Sequence, residues 1–310
     1  MRSTFMRSLL AKAEIDDRLW LLAGDLGFSV LEPFAERFPE RFVNAGVAEQ
    51  NMTGVAAGIA MTGQIVFTYS IANFPTLRCL EQIRNDACYH NLPVKVVAVG
   101  GGLAYGPQGY THHGIEDLAI LRTLPNIAVV APGDPVEARL ATLAVIDWPG
   151  PAYLRLGKGK EPVVHQSDPP FEVGKMIEVR GGDDALIISI GGILSEAVEA
   201  AAQAEQAGRS VAVWSSPWLK PFDQAALATA ARRYPLILTV EEGTVSGGLG
   251  SAVAELLAGL PHPCARLVRA GIPADTILCK ALTQQSARVA LGLDAAGLCR
   301  RLLEALAICP

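Results

Sequence analysis

Short apolar runs alternate with longer segments of mixed polarity along the chain. In the first half the apolar runs, most of them rich in β-branched residues, cover residues 19–23, 42–44, 65–69, 94–99, 127–130 and 152–156. Segments with the length and composition of helices lie between them, at residues 49–61, 76–89, 114–121 and 135–146. Strands that alternate with helices are typical of βαβ units. The pattern therefore predicts a mainly parallel sheet covered by helices on both faces.

The alternation stops at residues 157–174, where Gly, Lys, Pro and Asp occur without apolar periodicity. A stretch of this composition is typical of a linker between domains. A second series of strands then follows, at residues 185–190, 210–214, 236–240 and 265–268. Its helices are predicted at residues 195–207, 223–233, 248–257 and 294–307. We therefore expect an α/β protein with two doubly wound domains, residues 1–160 and 177–310, joined by a linker at residues 161–176.

Composition narrows the classes of function. Half of the 310 residues are apolar, which allows a substantial core, and the net charge of −5 without a basic run argues against a nucleic-acid surface. No apolar stretch approaches the roughly 20 residues that span a bilayer. Charged residues interrupt the first 20 positions, which excludes a signal peptide. The six cysteines form no Cys-x-x-Cys pair and have no histidine at zinc-ligand spacing, so we expect reduced thiols in a cytoplasmic protein.

Candidate functional side chains follow several strands of the first predicted sheet. In chain order they are Asp25, Glu49, Tyr69, Phe74, His112, His113 and Lys158. Ligands of open α/β sheets bind beyond the C-terminal ends of the strands, so these side chains are expected at one edge. Their positions do not by themselves identify a reaction.

Several motifs occur in a specific order in this half. They are Gly-Asp-Leu at residues 24–26, Ala-Gly-Val-Ala-Glu-Gln-Asn at 45–51, Tyr-Ser at 69–70, Gly-Tyr-Thr-His-His at 109–113 and Leu-Pro-Asn-Ile at 124–127. The ordered set resembles the pyrimidine-binding domain of transketolases and deoxyxylulose-phosphate synthases. Residues 239–253, Thr-Val-Glu-Glu-Gly-Thr-Val-Ser-Gly-Gly-Leu-Gly-Ser-Ala-Val, resemble the C-terminal domain of the same superfamily.

The resemblance implies a thiamine diphosphate site. Glu49 matches the cofactor-activating glutamate, which hydrogen-bonds N1′ of the aminopyrimidine ring and takes part in acid–base chemistry. Phe74 is expected against the aminopyrimidine, with Tyr69 as the alternative, because Phe74 lies about three residues beyond the spacing of the large transketolases. Asp25 is expected near the cofactor.

The resemblance also implies substrate contacts. His112 matches a histidine that contacts the sugar and assists proton transfer, and His113 stands where the family more usually has glutamine. Lys158 stands where relatives carry a phosphate-binding arginine, in a frame that begins at Arg155. Arg78 and Arg84 fall on a predicted helix and are expected to be solvated or interface charges.

The magnesium motif of the family, Gly-Asp-Gly followed by Asn, is absent from the sequence. We therefore expect no metal ligand on this chain, and we expect a separate N-terminal subunit to supply the Mg²⁺ and diphosphate site in an α2β2 assembly. The expected activity is transfer of a two-carbon ketol unit between a sugar or sugar-phosphate donor and an aldose. The alternatives are the β subunit of a 2-oxo acid dehydrogenase E1 component, a deoxyxylulose-phosphate synthase-like enzyme and a regulatory paralogue without activity.

Overall fold

The structure, a computed structural model, describes residues 1–261, 264–277 and 282–308. Within these ranges the strands are β1 (Leu19–Ala23), β2 (Phe42–Asn44), β3 (Ile65–Ile71), β4 (Val94–Val99), β5 (Ala128–Val130), β6 (Ala152–Leu156), β7 (Ile177–Arg180), β8 (Ala185–Ile190), β9 (Val211–Ser215), β10 (Trp218–Lys220), β11 (Leu236–Thr244) and β12 (Arg266–Ile272). The α-helices are α1 (Arg2–Ala13), α2 (Glu32–Arg37), α3 (Glu49–Ala60), α4 (Leu80–Gln82), α5 (Asp117–Leu121), α6 (Pro135–Asp147), α7 (Leu194–Gln206), α8 (Gln224–Arg233), α9 (Leu249–Ala258), α10 (Gln284–Leu291) and α11 (Ala295–Leu306). Helix α4 continues as a π-helix, Ile83–Cys88, and 3₁₀ turns lie at Pro39–Arg41, Gly106–Gln108 and Tyr110–His112.

The first sheet contains seven strands of the described chain in the order β10-β5-β6-β4-β3-β1-β2, and every pair except β10·β5 is parallel. Strand β1 lies between β2 and β3, with Ala23 opposite both Asn44 and Tyr69. Strand β4 lies between β3 and β6, with Val99 opposite Ile71 and Leu156. Because the strands are parallel, the loops that follow them meet at one edge of the sheet.

Apolar layers cover both faces of this sheet. Helices α1, α2 and α6 supply one layer, and α3, the π-helix and α5 supply the other. Strands β4 and β6 are buried along their whole length, as continuous apolar strands in a doubly covered parallel sheet should be. The expected fold class, α/β with mainly parallel sheets, is therefore confirmed.

The second sheet has the order β12-β11-β8-β9-β7 over the described residues, and only β7·β9 is antiparallel. Helices α7 and α11 pack on one face, and α8 and α9 pack on the other. The layer that contains α8 and α9 is continuous with the α3 layer of the first sheet, so the two sheets share one apolar cluster.

Strand β10 was not predicted from the sequence. It follows β9 in the chain, yet it pairs antiparallel with β5 of the first sheet, with Trp218 opposite Val130. The Trp218 ring is buried and lies 6.5 Å from the ring of Trp148 and 6.2 Å from that of Phe171. A short segment from beyond the linker thus completes the edge of the first sheet.

The described part of the chain contains no helix long and apolar enough to span a bilayer. Among its cysteines, Cys79, Cys88 and Cys299 are buried thiols that form no disulfide. Cys279 and Cys309 lie outside the described residues.

The segment between the two sheets is tied to the start of helix α6. Asp134 is buried and caps α6 by accepting a hydrogen bond from Glu137 N at 2.8 Å. Its second oxygen accepts from Val164 N and His165 N, both at 2.9 Å. One carboxylate therefore stabilises the helix and holds the connecting segment at the same time.

Replacing this carboxylate should loosen both elements. We expect Asp134→Ala to lower the free energy of unfolding by about 2 kcal/mol, since the helix cap and two further acceptor contacts are lost together. Asp168→Ala removes only the exposed ion pair with Arg139 and should cost less than about 1 kcal/mol. Urea unfolding measures both, and equal losses in the two variants would contradict the assignment.

Candidate active site

Glu49 is buried at the edge of the first sheet where the loops meet. Helix α3 begins at this residue, five positions after β2 ends, and Gly46 makes the intervening turn with φ of +70°. The Glu49 side chain is only 1% exposed. A Cβ built on Gly24 would stand 3.3 Å from Glu49 Oε1, so the loop after β1 passes directly over the carboxylate.

Two side chains hold the Glu49 carboxylate. Ser70 Oγ donates a hydrogen bond to Oε1 at 3.1 Å, and Arg78 Nη1 forms an ion pair with Oε2 at 2.8 Å. A buried carboxylate is costly unless hydrogen bonds and an opposite charge replace its hydration. Each carboxylate oxygen can accept more than one hydrogen bond, so both retain capacity for a ligand.

The expectation that Arg78 is a solvated or interface charge is wrong. It assumed a helix over residues 76–89, but α4 begins only at Leu80, and Arg78 lies in the turn-rich loop after β3. This loop brings the guanidinium to Glu49, and its carbon lies 5.3 Å from the centre of the Phe74 ring. Arg84 is exposed and bonds only Asn85 among the described side chains, in keeping with its expected surface position.

Ser70 contacts Glu49 because successive side chains of a strand point to opposite faces. Ser70 faces α3, whereas Tyr69 faces α1, where its ring lies 6.1 Å from that of Phe5. The Tyr69 ring is buried in this core, burial raises the pKa of its hydroxyl, and the hydroxyl has no hydrogen-bond partner among the described residues. The structure therefore places Tyr69 beneath the crevice and Ser70, which sequence reasoning passed over, within it.

A row of rings extends from Glu49 across the sheet edge. Phe74 lies edge-on to His112, with ring centres 5.2 Å apart, and His112 lies 6.1 Å from the ring of Tyr105. Lys158 Nζ stands 4.5 Å from the centre of the Tyr105 ring, in the range of a cation–π contact. Phe74, His112 and Lys158 are all partly exposed. The structure thus brings three of the predicted site residues to one edge.

His113 differs from His112 in its environment. His113 is buried, and its Nε2 lies 3.2 Å from the carbonyl oxygen of Gly106, so it supports the loop from below. His112 keeps its ring toward Phe74, with Nδ1 3.0 Å from the Thr111 hydroxyl. The side chain of Asn73 donates to the Thr111 carbonyl and connects the loops after β3 and β4.

Asp25 lies beside this crevice on the loop after β1. Its backbone adopts φ of +54°, and its N–H donates to Asn44 Oδ1 at 3.2 Å. Asn44 Nδ2 donates in return to Asp25 Oδ1 at 2.9 Å. The exposed pair connects the ends of β1 and β2 next to Gly24, which covers Glu49.

Arg155, the first residue of the predicted phosphate-binding frame, is not available to a ligand. It is buried in an ion pair with Asp117 at 3.2 Å, and its Nη2 donates to the carbonyls of Gly114 and Glu242. Lys158 lies three residues further along and remains partly exposed.

Asp134, Glu137 and His165 offer ligand atoms within 4.8 Å of one another. Their polar atoms are already occupied by the chain: Glu137 Oε1 lies 2.8 Å from His165 Nε2, and Glu137 Oε2 accepts from Gly133 N at 2.6 Å. The cluster therefore fastens the linker, and its contacts account for its proximity.

A buried acid, an aromatic ring and a histidine at the C-terminal edge of a doubly wound sheet form a cofactor-dependent active site. Residues 1–162 match the transketolase pyrimidine-binding domain, and residues 174–297 match the transketolase C-terminal domain. The chain belongs to the transketolase family and is a C-terminal subunit of the split type, an enzyme component with transketolase-like function. The family implies thiamine diphosphate.

Relatives of known description agree in length and fold. One of the two subunits of the apulose-4-phosphate transketolase of Phocaeicola vulgatus is 36% identical, with 98% of this chain and 96% of the relative covered. A solved split-gene transketolase, described as an inactive β4 tetramer, is 35% identical with a TM-score of 0.88 and covers 100% of this chain and 98% of its own. The 1-deoxy-D-xylulose-5-phosphate synthase of Syntrophotalea carbinolica is 38% identical over 95% of this chain but only 46% of its own length.

The Glu49–Arg78 contact can be tested by stability alone. We expect Arg78→Leu to lower the free energy of unfolding by about 1–3 kcal/mol, because it leaves a buried carboxylate without its cation. Arg84→Leu, a matched change on the π-helix, should stay within about 0.5 kcal/mol.

A double-mutant cycle isolates the pair. In the Arg78→Leu background, Glu49→Gln should cost less than it does in the wild type, with a coupling of at least about 0.5 kcal/mol in urea unfolding. Additive losses would show that the two side chains do not interact in solution.

Proposed function

We propose that this chain is the C-terminal half of a two-chain transketolase that moves a two-carbon ketol unit from a ketose to an aldose. The observation that carries the proposal is the buried Glu49 carboxylate, held by Ser70 and Arg78 on the same sheet edge as Phe74 and His112. A charged group is buried at this cost where a ligand uses it.

The residues around Glu49 fit the pyrimidine half of thiamine diphosphate. A carboxylate with spare acceptor capacity suits the protonated N1′ of the ring, and the Phe74 ring offers an apolar surface beside it. Thiamine diphosphate, when bound, supplies the nucleophilic carbon that attacks the ketose carbonyl. The part of Glu49 is to share a proton with N1′, and burial keeps water from competing for that proton.

Arg78 contacts the same two groups that the pyrimidine would use, the Glu49 carboxylate and the Phe74 ring. Its side chain is 47% exposed, so it covers the carboxylate from the solvent side. We propose that Arg78 gives up at least one of these contacts when the cofactor binds.

The other end of the row suits a sugar. His112 can donate to a hydroxyl group and assist proton transfer, and Lys158 can bind an anionic tail beyond Tyr105. The apulose-4-phosphate enzyme similar to this chain acts on a phosphorylated sugar by its name. We therefore propose a ketose or aldose that carries a phosphate or another anionic group. His113 and Asp25 are proposed to support the substrate loop and the cofactor side of the crevice.

A separate N-terminal subunit is proposed to close the site. Apolar side chains stand exposed around Glu49: Val47 and Phe28 are each 75% exposed, and Leu77 is 46% exposed. Exposed apolar groups around a buried charge indicate a surface that another protein covers. Since the sequence contains no Gly-Asp-Gly motif, the partner would supply the ligands for Mg²⁺ and diphosphate, in an α2β2 assembly.

We place the enzyme in the cytoplasm, in keeping with its buried thiols Cys79, Cys88 and Cys299. The similarity to 1-deoxy-D-xylulose-5-phosphate synthase keeps that activity as the second candidate, and the β subunit of a 2-oxo acid dehydrogenase E1 component is the third. Pyruvate is the donor that separates both from ketol transfer.

The function is tested with the co-expressed pair, thiamine diphosphate, Mg²⁺ and a panel of ketoses and pyruvate. We expect turnover on a ketose, and Glu49→Gln should lower kcat/KM by about 10²–10⁴-fold, because the proton at N1′ loses its carboxylate. Glu81→Gln, an exposed acid on α4, is the matched control and should leave the rate unchanged. Turnover on pyruvate with none on any ketose, or full activity in Glu49→Gln, would refute the proposal.

The divided site predicts a difference in cofactor binding. In calorimetry with Mg²⁺ present, the isolated chain should bind thiamine diphosphate at least about 100-fold more weakly than the pair does, since it lacks the diphosphate contacts. Tight, magnesium-dependent binding to the isolated chain would contradict a partner-supplied metal site.

A further inference from the structure

The loop that carries His112 rests on the second α/β unit. We define the substrate loop as residues 100–114, between the end of β4 and α5. We infer that Glu242, on β11 of the second sheet, is a positioning residue that fixes the substrate loop and thereby the His112 ring. The inference rests on the proposed function only for the use that His112 is put to.

Glu242 is connected to both ends of the substrate loop. Its Oε1 accepts a hydrogen bond from Leu103 N at 3.3 Å, near the start of the loop. Its carbonyl oxygen accepts from Arg155 Nη2 at 2.7 Å, and the same nitrogen donates to the Gly114 carbonyl at 2.9 Å, at the end of the loop. Gly102 and Gly114 exchange backbone hydrogen bonds of 2.7 and 3.1 Å, which closes the base of the loop.

Glu242 is itself rigidly held by the second unit. Its side chain is buried and accepts hydrogen bonds from Gln284 Nε2 at 2.9 and 3.0 Å. Arg288 Nη2 forms an ion pair with it at 2.8 Å, while Arg288 Nη1 reaches Glu196 at 3.3 Å. A charge with this many fixed donors has little freedom to follow a moving loop, so the loop must adapt to Glu242.

The loop approaches this support as closely as a backbone can. A Cβ built on Gly102 would stand 2.8 Å from both Glu242 Cγ and the Glu242 carbonyl oxygen. A Cβ on Gly106 would stand 2.3 Å from the Leu282 carbonyl oxygen and 3.0 Å from Gln284 N. Only glycine allows such contact. Any outward shift of residues 102–106 also moves His113, which is bonded to the Gly106 carbonyl, and the neighbouring His112.

The test measures the loop directly. In the isolated full-length chain, Glu242→Ala should speed amide hydrogen exchange of the loop residues 102–114 at least about tenfold and leave β4 unchanged, since exchange reports local opening. Glu242→Gln keeps an acceptor and should be intermediate. Glu255→Ala, which removes the interdomain ion pair with Arg122 away from the loop, should have no effect.

Gly106→Ala provides an independent variant should Glu242→Ala fail to fold. Its methyl group can fit only if the loop moves off the second unit, and it should give the same faster exchange of residues 107–114. In the assembled pair, both changes should raise KM for the ketose about tenfold, with kcat changed less and thiamine diphosphate affinity unchanged, because the sugar contact is displaced and the cofactor contact is not.

Unchanged loop exchange in a folded Glu242→Ala or Gly106→Ala chain would overturn the inference. So would a loss of cofactor affinity equal to the rise in KM, because that would indicate general damage. If the wild-type pair turns over no ketose, the proposed function fails, but the exchange measurements still decide whether Glu242 holds the loop.

Discussion

The arrangement of this site depends on the burial of one charge. The Glu49 carboxylate is withdrawn from water, and such a group persists only when donors replace the hydration that it has lost. The donors come from two segments, Ser70 from β3 and Arg78 from the loop after it, while the carboxylate itself begins α3. The N-terminal end of a helix favours a negative charge and adds to the balance. The register of β1, β2 and β3 is what brings these segments together.

The same burial explains why the neighbouring loops are glycine-rich and closely packed. Gly24 passes over the carboxylate where a side chain would crowd Oε1, and Asp25 then ties this loop to the end of β2. On the far side, the loop with His112 is pressed against Glu242 of the second unit. The crevice is therefore framed by backbone that has little room to move, which suits a site that must hold rings and hydroxyl groups in fixed positions.

Much of the fold could be predicted from the sequence because its central strands are buried on both faces. Val94–Val99 and Ala152–Leu156 are short apolar runs between turn residues, and the structure has them with the predicted bounds. The pattern gave no signal for Trp218–Lys220, because its pairing with β5 is a tertiary contact between distant segments. The order of loops along the sheet edge was enough to bring Glu49 and His112 to one side.

Side-chain partners were harder to predict than positions. Period-two alternation shows that Tyr69 and Ser70 point to opposite faces, but only the packing of α1 and α3 decides which face meets the carboxylate. Arg78 was missed because residues 76–79 have a helix-like composition, and composition alone does not reveal that the chain stays in turns until Leu80. Errors of a few residues at helix starts are common, and here one of them concealed the cation of the site.

Arg78 also bears on the order of assembly. In the lone chain it neutralises Glu49 and stacks beside Phe74, so the protein can fold without leaving a buried charge unpaired. Under the proposed function, the cofactor must then compete with an ion pair that already satisfies the carboxylate. A pyrimidine held only by Glu49 and Phe74 would gain little over that ion pair, whereas one anchored through its diphosphate in a partner subunit would be presented at high effective concentration. An internal partner for Glu49 therefore favours cofactor binding at the joined surface of two subunits over binding to either one alone.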